Sequence, residues 1–180
     1  MKGKLPRMPA TQQISETLIR DNITYAVSNV FKTMLGQQTS LVEKSPLPVT
    51  AVADAKAVHT PQVVGMVGFL GEANGLIYLY MDQVFARMCT CNLLGMTEAE
   101  VEESGDETVN DAIGELTNMT VGSFKNGLCD AGYPCTLTIP SILRGSNFSI
   151  EPVSSAHRFV FSFNCADHRV TADILLKADV

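Results

Sequence analysis

The sequence predicts one α/β domain of the α+β kind, with long helices packed over a largely antiparallel six-stranded sheet. Three observations predict it. At 180 residues the chain fits one domain and can bury a core without metal or disulfide staples. Hydrophobic residues make up 46% and charged residues 18%, the balance of an ordinary globular chain. A long helical pattern followed by three strand-like runs occurs twice, with a short helical insert between. The chain therefore reads as two pseudo-symmetric helix-plus-three-strand halves, with a period too long for a solenoid.

The elements follow in order. Residues 1–14 read as a flexible arm, with Pro6, Pro9 and no periodicity; residues 15–180 form the domain. Ile14, Leu18, Ile23, Val27, Val30, Phe31 and Met34 recur at helical spacing, so a helix is expected from Ser15 to Leu35, stopped by Gly36. After Pro46-Leu-Pro48 come three strand-like runs, Val49–Val58, Gln62–Leu70 and Gly75–Met81. Gly71–Gly75 supplies a hairpin turn between the last two. A short helix over Gln83–Leu94 ends at Gly95. Thr97-Glu-Ala-Glu100 has capping-box spacing for another short helix.

The second long helix is expected from Asp106 to Leu128. Its apolar stripe is Val109, Ala112, Ile113, Leu116, Thr120, Phe124 and Leu128, and Gly132 with Pro134 ends it. Cys135–Ile139, Phe159–Phe163 and His168–Leu176 are the last three strands, the final pair turning at Asn164–Asp167.

Composition narrows the function. The formal net charge is -6, against the basic footprint that nucleic acid requires, and suited to a protein partner with basic residues around its site. The basic N-terminus is not followed by an apolar h-region, and the apolar runs near Val63–Leu70 and Leu76–Met81 are too short to span a bilayer. The expectation is a cytoplasmic protein with no membrane role. Five cysteines, an odd number, argue against a disulfide framework. Cys89 and Cys91 lack further ligands at zinc spacing. Spacing leaves a Cys–His nucleophile pair open, but nothing local supports one at His59, His157 or His168, whose expected roles are structural. No glycine-rich loop precedes a helix, so no phosphate-binding cofactor is expected. The acidic run Glu98, Glu100, Glu102, Glu103, Asp106 reads as a solvated face that can also steer a basic partner.

The second long helix carries the chemistry. Asp111, Glu115, Asn118, Gly122 and Lys125 are spaced to form a second stripe on one face. Glu115 and Asn118 each stand two positions from an apolar-stripe residue, roughly 200° around the helix, and so point away from the core. Gly114 and Gly122 lie four residues either side of Asn118. A glycine inside a helix costs about 1 kcal/mol relative to alanine, so the pair needs a reason. Two remain open: close approach of another protein's backbone, or tight packing of helix on helix.

Asp111-Ala-Ile-Gly-Glu115-Leu-Thr-Asn118-Met-Thr-Val-Gly122 resembles the signature helix of the CheC/CheX/FliY chemotaxis phosphatases, whose core is Glu-x-x-Asn. Gly75–Met81 followed by a helix resembles the family's strand-then-helix segment. The likeness runs from about Ser15 to Lys177. A bare Glu-x-x-Asn is weak, for Glu107-Thr-Val-Asn110 also fits. The flanking Asp111 and Gly122 select Glu115/Asn118, and Glu107 is better read as favouring the helix N-terminus. Relatives with two sites carry a second motif on the first long helix. Here Asn22–Asn29 is matched to it, with Asn29 for the Asn and Ala26 where the Glu would stand. That half-site should be dead, the single-site, CheX-like arrangement.

The resemblance implies an enzyme that hydrolyses the aspartyl phosphate of a phosphorylated CheY-type response regulator. Asn118 would orient the attacking water and Glu115 would pair with the regulator's Lys, with Asp111, Gly114 and Gly122 at the binding face. It implies no cofactor or metal of its own, the Mg²⁺ arriving with the regulator, and a homodimer. The alternative is a non-catalytic adaptor or flagellar-switch-type module that docks a regulator without hydrolysis.

Overall fold

The computed structural model describes residues 14–42, 61–146, 148 and 150–177. The predicted strand Val49–Val58, His59 and nearly all of the expected N-terminal arm lie outside these. Helix α1, Glu16–Leu35, starts where Ser15 Oγ accepts the Leu18 N–H at 3.2 Å and stops at Gly36, whose φ of 67° is the left-handed cap. Strand β1, Thr39–Leu41, follows. β2 (Gln62–Gly71) and β3 (Gly75–Asp82) form a hairpin. The Asn74 side chain closes it, accepting from the Gly71 N–H and donating to the Gly71 carbonyl.

Asp82 caps α2, Gln83–Leu94, accepting the Phe85 N–H at 2.8 Å. α3 runs over Glu98–Asp130 with a break at Gly105, φ 78° and ψ -173°. The two helices expected there exist, joined end to end across a residue whose backbone suits glycine. β4 (Cys135–Leu137), β5 (Ser141–Gly145), β6 (Ala156–Cys165) and β7 (His168–Lys177) complete the described fold, with Ala166 at φ 51° in the final turn.

The sheet has seven described strands in the order β1-β6-β7-β3-β2-β4, with β5 also on β2, and every pairing is antiparallel. The expectation of six strands is corrected in two places. β1 is an unanticipated three-residue strand, and the expected Cys135–Ile139 run stops at Leu137, with β5 resuming after Pro140. Proline has no N–H for a ladder, which explains the interruption. The expected pseudo-symmetry is present. β3 and β7 lie side by side at the centre, β2 and β6 flank them, and short strands form the edges. The short strands cross over: β1 follows α1 but pairs with β6, while β4 and β5 follow α3 but pair with β2.

One hydrophobic core unites both halves, including Ile23, Val27 and Phe31 of α1, Val67 and Phe69 of β2, Leu116 and Phe124 of α3, and Val170 and Ile174 of β7. Phe69 and Phe124 meet with ring centroids 5.9 Å apart. Strand side chains alternate, so Asp173 points the opposite way from the core residues Ala172 and Ile174. It is buried there, and Arg158 reaches it through two bonds of 2.9 and 2.6 Å.

Candidate active site

α3 is fixed at both ends of its break. Thr97 and Glu100 form a reciprocal capping box, the Glu100 carboxylate accepting the Thr97 N–H at 2.7 Å. These bonds hold the exposed Glu100 carboxyl below its usual range. Arg87 of α2 pairs with Glu102. Beyond Gly105, Arg144 of β5 pairs with Asp106 at 3.0 Å, and its Nε donates to Asn110 Oδ1 at 2.6 Å. The acidic run is exposed, the solvated face expected of it, with Glu100 in the cap and Glu102 and Asp106 in surface ion pairs.

From Val109 on, the helix lays its stripe on the sheet, and every residue expected in it is buried. Thr117 sits on β2 at Gly65, so closely that Gly65 has no room for a β-carbon. Its hydroxyl donates back to the Ile113 carbonyl at 2.7 Å. This anchorage sets the rotation of the helix and turns the opposite stripe outward. Asp111 and Glu115 are exposed, and Asn118, Gly122 and Lys125 are half-buried. Glu115 and Asn118, three residues apart, share that face, and neither has a hydrogen-bond or ion-pair partner among the described residues. The other Glu-x-x-Asn differs in this respect, because its Asn110 is engaged by Arg144.

The structure shows what lies against the two glycines. Gly114 is buried, and a β-carbon there would meet Pro140 at 4.0 Å; one at Gly122 would meet Leu137 at 3.8 Å. The Pro140 and Leu137 side chains of the chain's own β4–β5 segment therefore lie against the two glycines, at ordinary van der Waals distance. The reading of Gly114 as a surface open to a partner is corrected by its burial, while Gly122 remains half-exposed. The packing partner is a strand edge and its corner rather than a second helix.

The first-helix comparison is corrected too. Ala26 is 0% exposed, inside the apolar stripe, so it cannot stand where an outward carboxylate would. The exposed face of α1 carries Asp21, Tyr25 and Ser28, which with Arg20, Thr24 and Leu41 of β1 line a shallow cavity. Matching the buried positions of the two helices, Ile19, Ile23, Val27 and Val30 to Val109, Ile113, Thr117 and Thr120, sets Tyr25 opposite Glu115 and Ser28 opposite Asn118. Neither carries the required group. The signal was in the sequence: Ala26 stands three after Ile23 and four before Val30, within the helical stripe.

Of the other candidates, His168 and the buried cysteines take structural places, whereas the structural role expected of His157 is corrected by its exposure. His168 Nδ1 lies 2.9 Å from Asp82 Oδ2 and its ring stacks on Phe85 at 4.8 Å. His157 is exposed on β6. Burial pushes the Cys89 thiol far up from its ordinary range, and the Cys165 and Cys135 thiols are raised by the same cause, the reverse of an activated nucleophile. Among the described residues no three histidine, cysteine or acidic side chains gather as a metal site, and no helix is long and apolar enough to cross a membrane.

Residues 63–164 match the family model described as "Chemotaxis phosphatase CheX". No curated protein matches the sequence. Among solved structures, the chain is similar to the chemotaxis protein CheX of Vibrio vulnificus, with 19% identity and a TM-score of 0.70 over 94% of this chain and 100% of that one. It is also similar to CheX of Desulfovibrio desulfuricans, with 23% identity and a TM-score of 0.69 over 88% and 99%. A third likeness is to the CheX–CheY–BeF3–Mg²⁺ complex of Borrelia burgdorferi, with 19% identity and a TM-score of 0.66 over 88% and 97%.

Proposed function

The chain belongs to the CheX family of chemotaxis phosphatases, and from that premise we propose that it hydrolyses the aspartyl phosphate of a CheY-type response regulator, with Glu115 and Asn118 as the working pair. The observation that carries the proposal is the freedom of these two side chains. They share an outward face of a helix anchored at Thr117, and neither is spent on an internal bond among the described residues.

The chemistry asks little of the enzyme. An acyl phosphate is already reactive; its hydrolysis needs a water in line with the P–O bond, charge neutralisation and a dry site. Water attacks phosphorus, the bond to the regulator's aspartyl oxygen breaks, and free aspartate and inorganic phosphate leave. A carboxamide both accepts and donates hydrogen bonds, so Asn118 can hold and aim that water without taking its proton. Glu115 is a positioner: its carboxylate pairs with the regulator's Lys and fixes the docking register. The Mg²⁺ belongs to the regulator, and no residue of this chain is asked to bind it. Support for a CheY-type partner comes from the similar CheX fold seen in complex with CheY.

Two copies are expected to associate. β1 pairs with β6 on one side and has no other neighbour among the described strands, so it is one open edge at which a second copy would add, although its three residues make a short one. The functional test is the decay of phosphate on a phosphorylated CheY-type regulator with substoichiometric amounts of the protein. Multiple turnovers support the enzyme; saturable binding without acceleration replaces it with the regulator-docking adaptor.

A further inference from the structure

Resting on the phosphatase reading, we infer that Ile139 is an apolar docking anchor for the response regulator, set beside Asn118 by the β4–β5 corner. The chain from Leu137 to Pro140 runs along the site helix. Leu137 lies over Gly122 and Pro140 over Gly114, and Asn118 is midway between those glycines. Eight helical residues rise about 12 Å, and the four-residue segment Leu137–Pro140 spans about 10 Å, so the two stretches are matched in length. Thr138 and Ile139 therefore flank the turn that bears Asn118. They point oppositely. The Thr138 hydroxyl faces β2, accepting the Gly68 N–H at 2.9 Å, while Ile139 is 85% exposed, the most exposed large apolar side chain among the described residues.

A single exposed isoleucine is ordinary on a protein surface. Its mounting is what distinguishes this one. The Thr138 N–H also donates to the Gly68 carbonyl at 2.9 Å, and Pro140 fixes the backbone on the other side. Ile139 is thus presented by a corner that needs no ordering when a partner arrives, and preorganised groups lose least on binding. The occupant follows from continuity. Any protein that brings its aspartyl phosphate to Asn118 must cover the residues bordering that turn, and Ile139 borders it.

The test compares the parent with Ile139→Ala, Ile139→Leu and Asn118→Ala. Binding is titrated with beryllofluoride-activated regulator and turnover is measured with phosphorylated regulator. Losing a buried aliphatic side chain at an interface should raise Kd and KM about tenfold for Ile139→Ala. kcat and thermal unfolding should be nearly unmoved, and Ile139→Leu should restore most of the affinity. An unchanged Kd in Ile139→Ala overturns the anchor, whatever the turnover. A Kd that depends on Ile139 with no acceleration by the parent sustains the anchor and overturns the phosphatase. A fall in thermal stability as large as the fall in affinity overturns the anchor in favour of a structural role.

Discussion

Arg144 Nε donates to Asn110 Oδ1 at 2.6 Å, and this bond separates two copies of the same short motif. Asn110 is tied to β5, whereas Asn118, two turns further along the same helix, has no hydrogen-bond partner among the described residues. Asn110→Ala is expected to lower unfolding stability by about 1.5–3 kcal/mol, the range for a hydrogen bond to a charged group. The folded variant should keep its turnover, and Glu107→Ala should keep both. Urea unfolding and phosphatase rates on the same preparations check this.

Gly65→Ala should destabilise by about 1–3 kcal/mol, because Thr117 occupies the space a β-carbon needs. Thr117→Ala opens that space, so the double variant should recover part of the loss. The double-mutant cycle in denaturant measures the coupling; simple additivity would mean that the contact does not set the helix.

Ala26→Glu should cost about 3 kcal/mol or more, since it buries a carboxylate without a partner. It should revive no second site. Tyr25→Glu, at a position 65% exposed, should leave stability nearly unchanged. Thermal unfolding of the two variants distinguishes this register of α1 from one that points residue 26 outward.

Arg158→Met should cost about 3–5 kcal/mol, because it strands Asp173, whose side chain is 0% exposed against 12% for Arg158. Arg158→Met/Asp173→Leu should recover most of that loss. Equilibrium denaturation of the single and double variants checks it.

The residues that made the fold legible were those with local physical meanings. Gly36 and Gly95 cap their helices in the left-handed conformation, and Asn74 closes the β2–β3 hairpin. β1 escaped notice because three residues carry no period, and its pairing with β6 is non-local. β5 escaped because its ladder with β2 is exposed on the outer side and follows a proline. The site helix was legible through its two stripes. The part played by Leu137, Ile139 and Pro140 was not, since no periodicity in one segment shows which other segment will lie against it. Ala26 shows the converse error: motif matching put it at a site, although the apolar spacing around it already assigned it to the core.

The most direct test of the central claim is single-turnover dephosphorylation of a CheY-type regulator by the parent and by Asn118→Ala, with regulator affinity measured on both. The account predicts that Asn118→Ala binds as the parent does but loses the acceleration by about a hundredfold, the scale of a misplaced nucleophile. Undiminished acceleration in Asn118→Ala at equal affinity would contradict it.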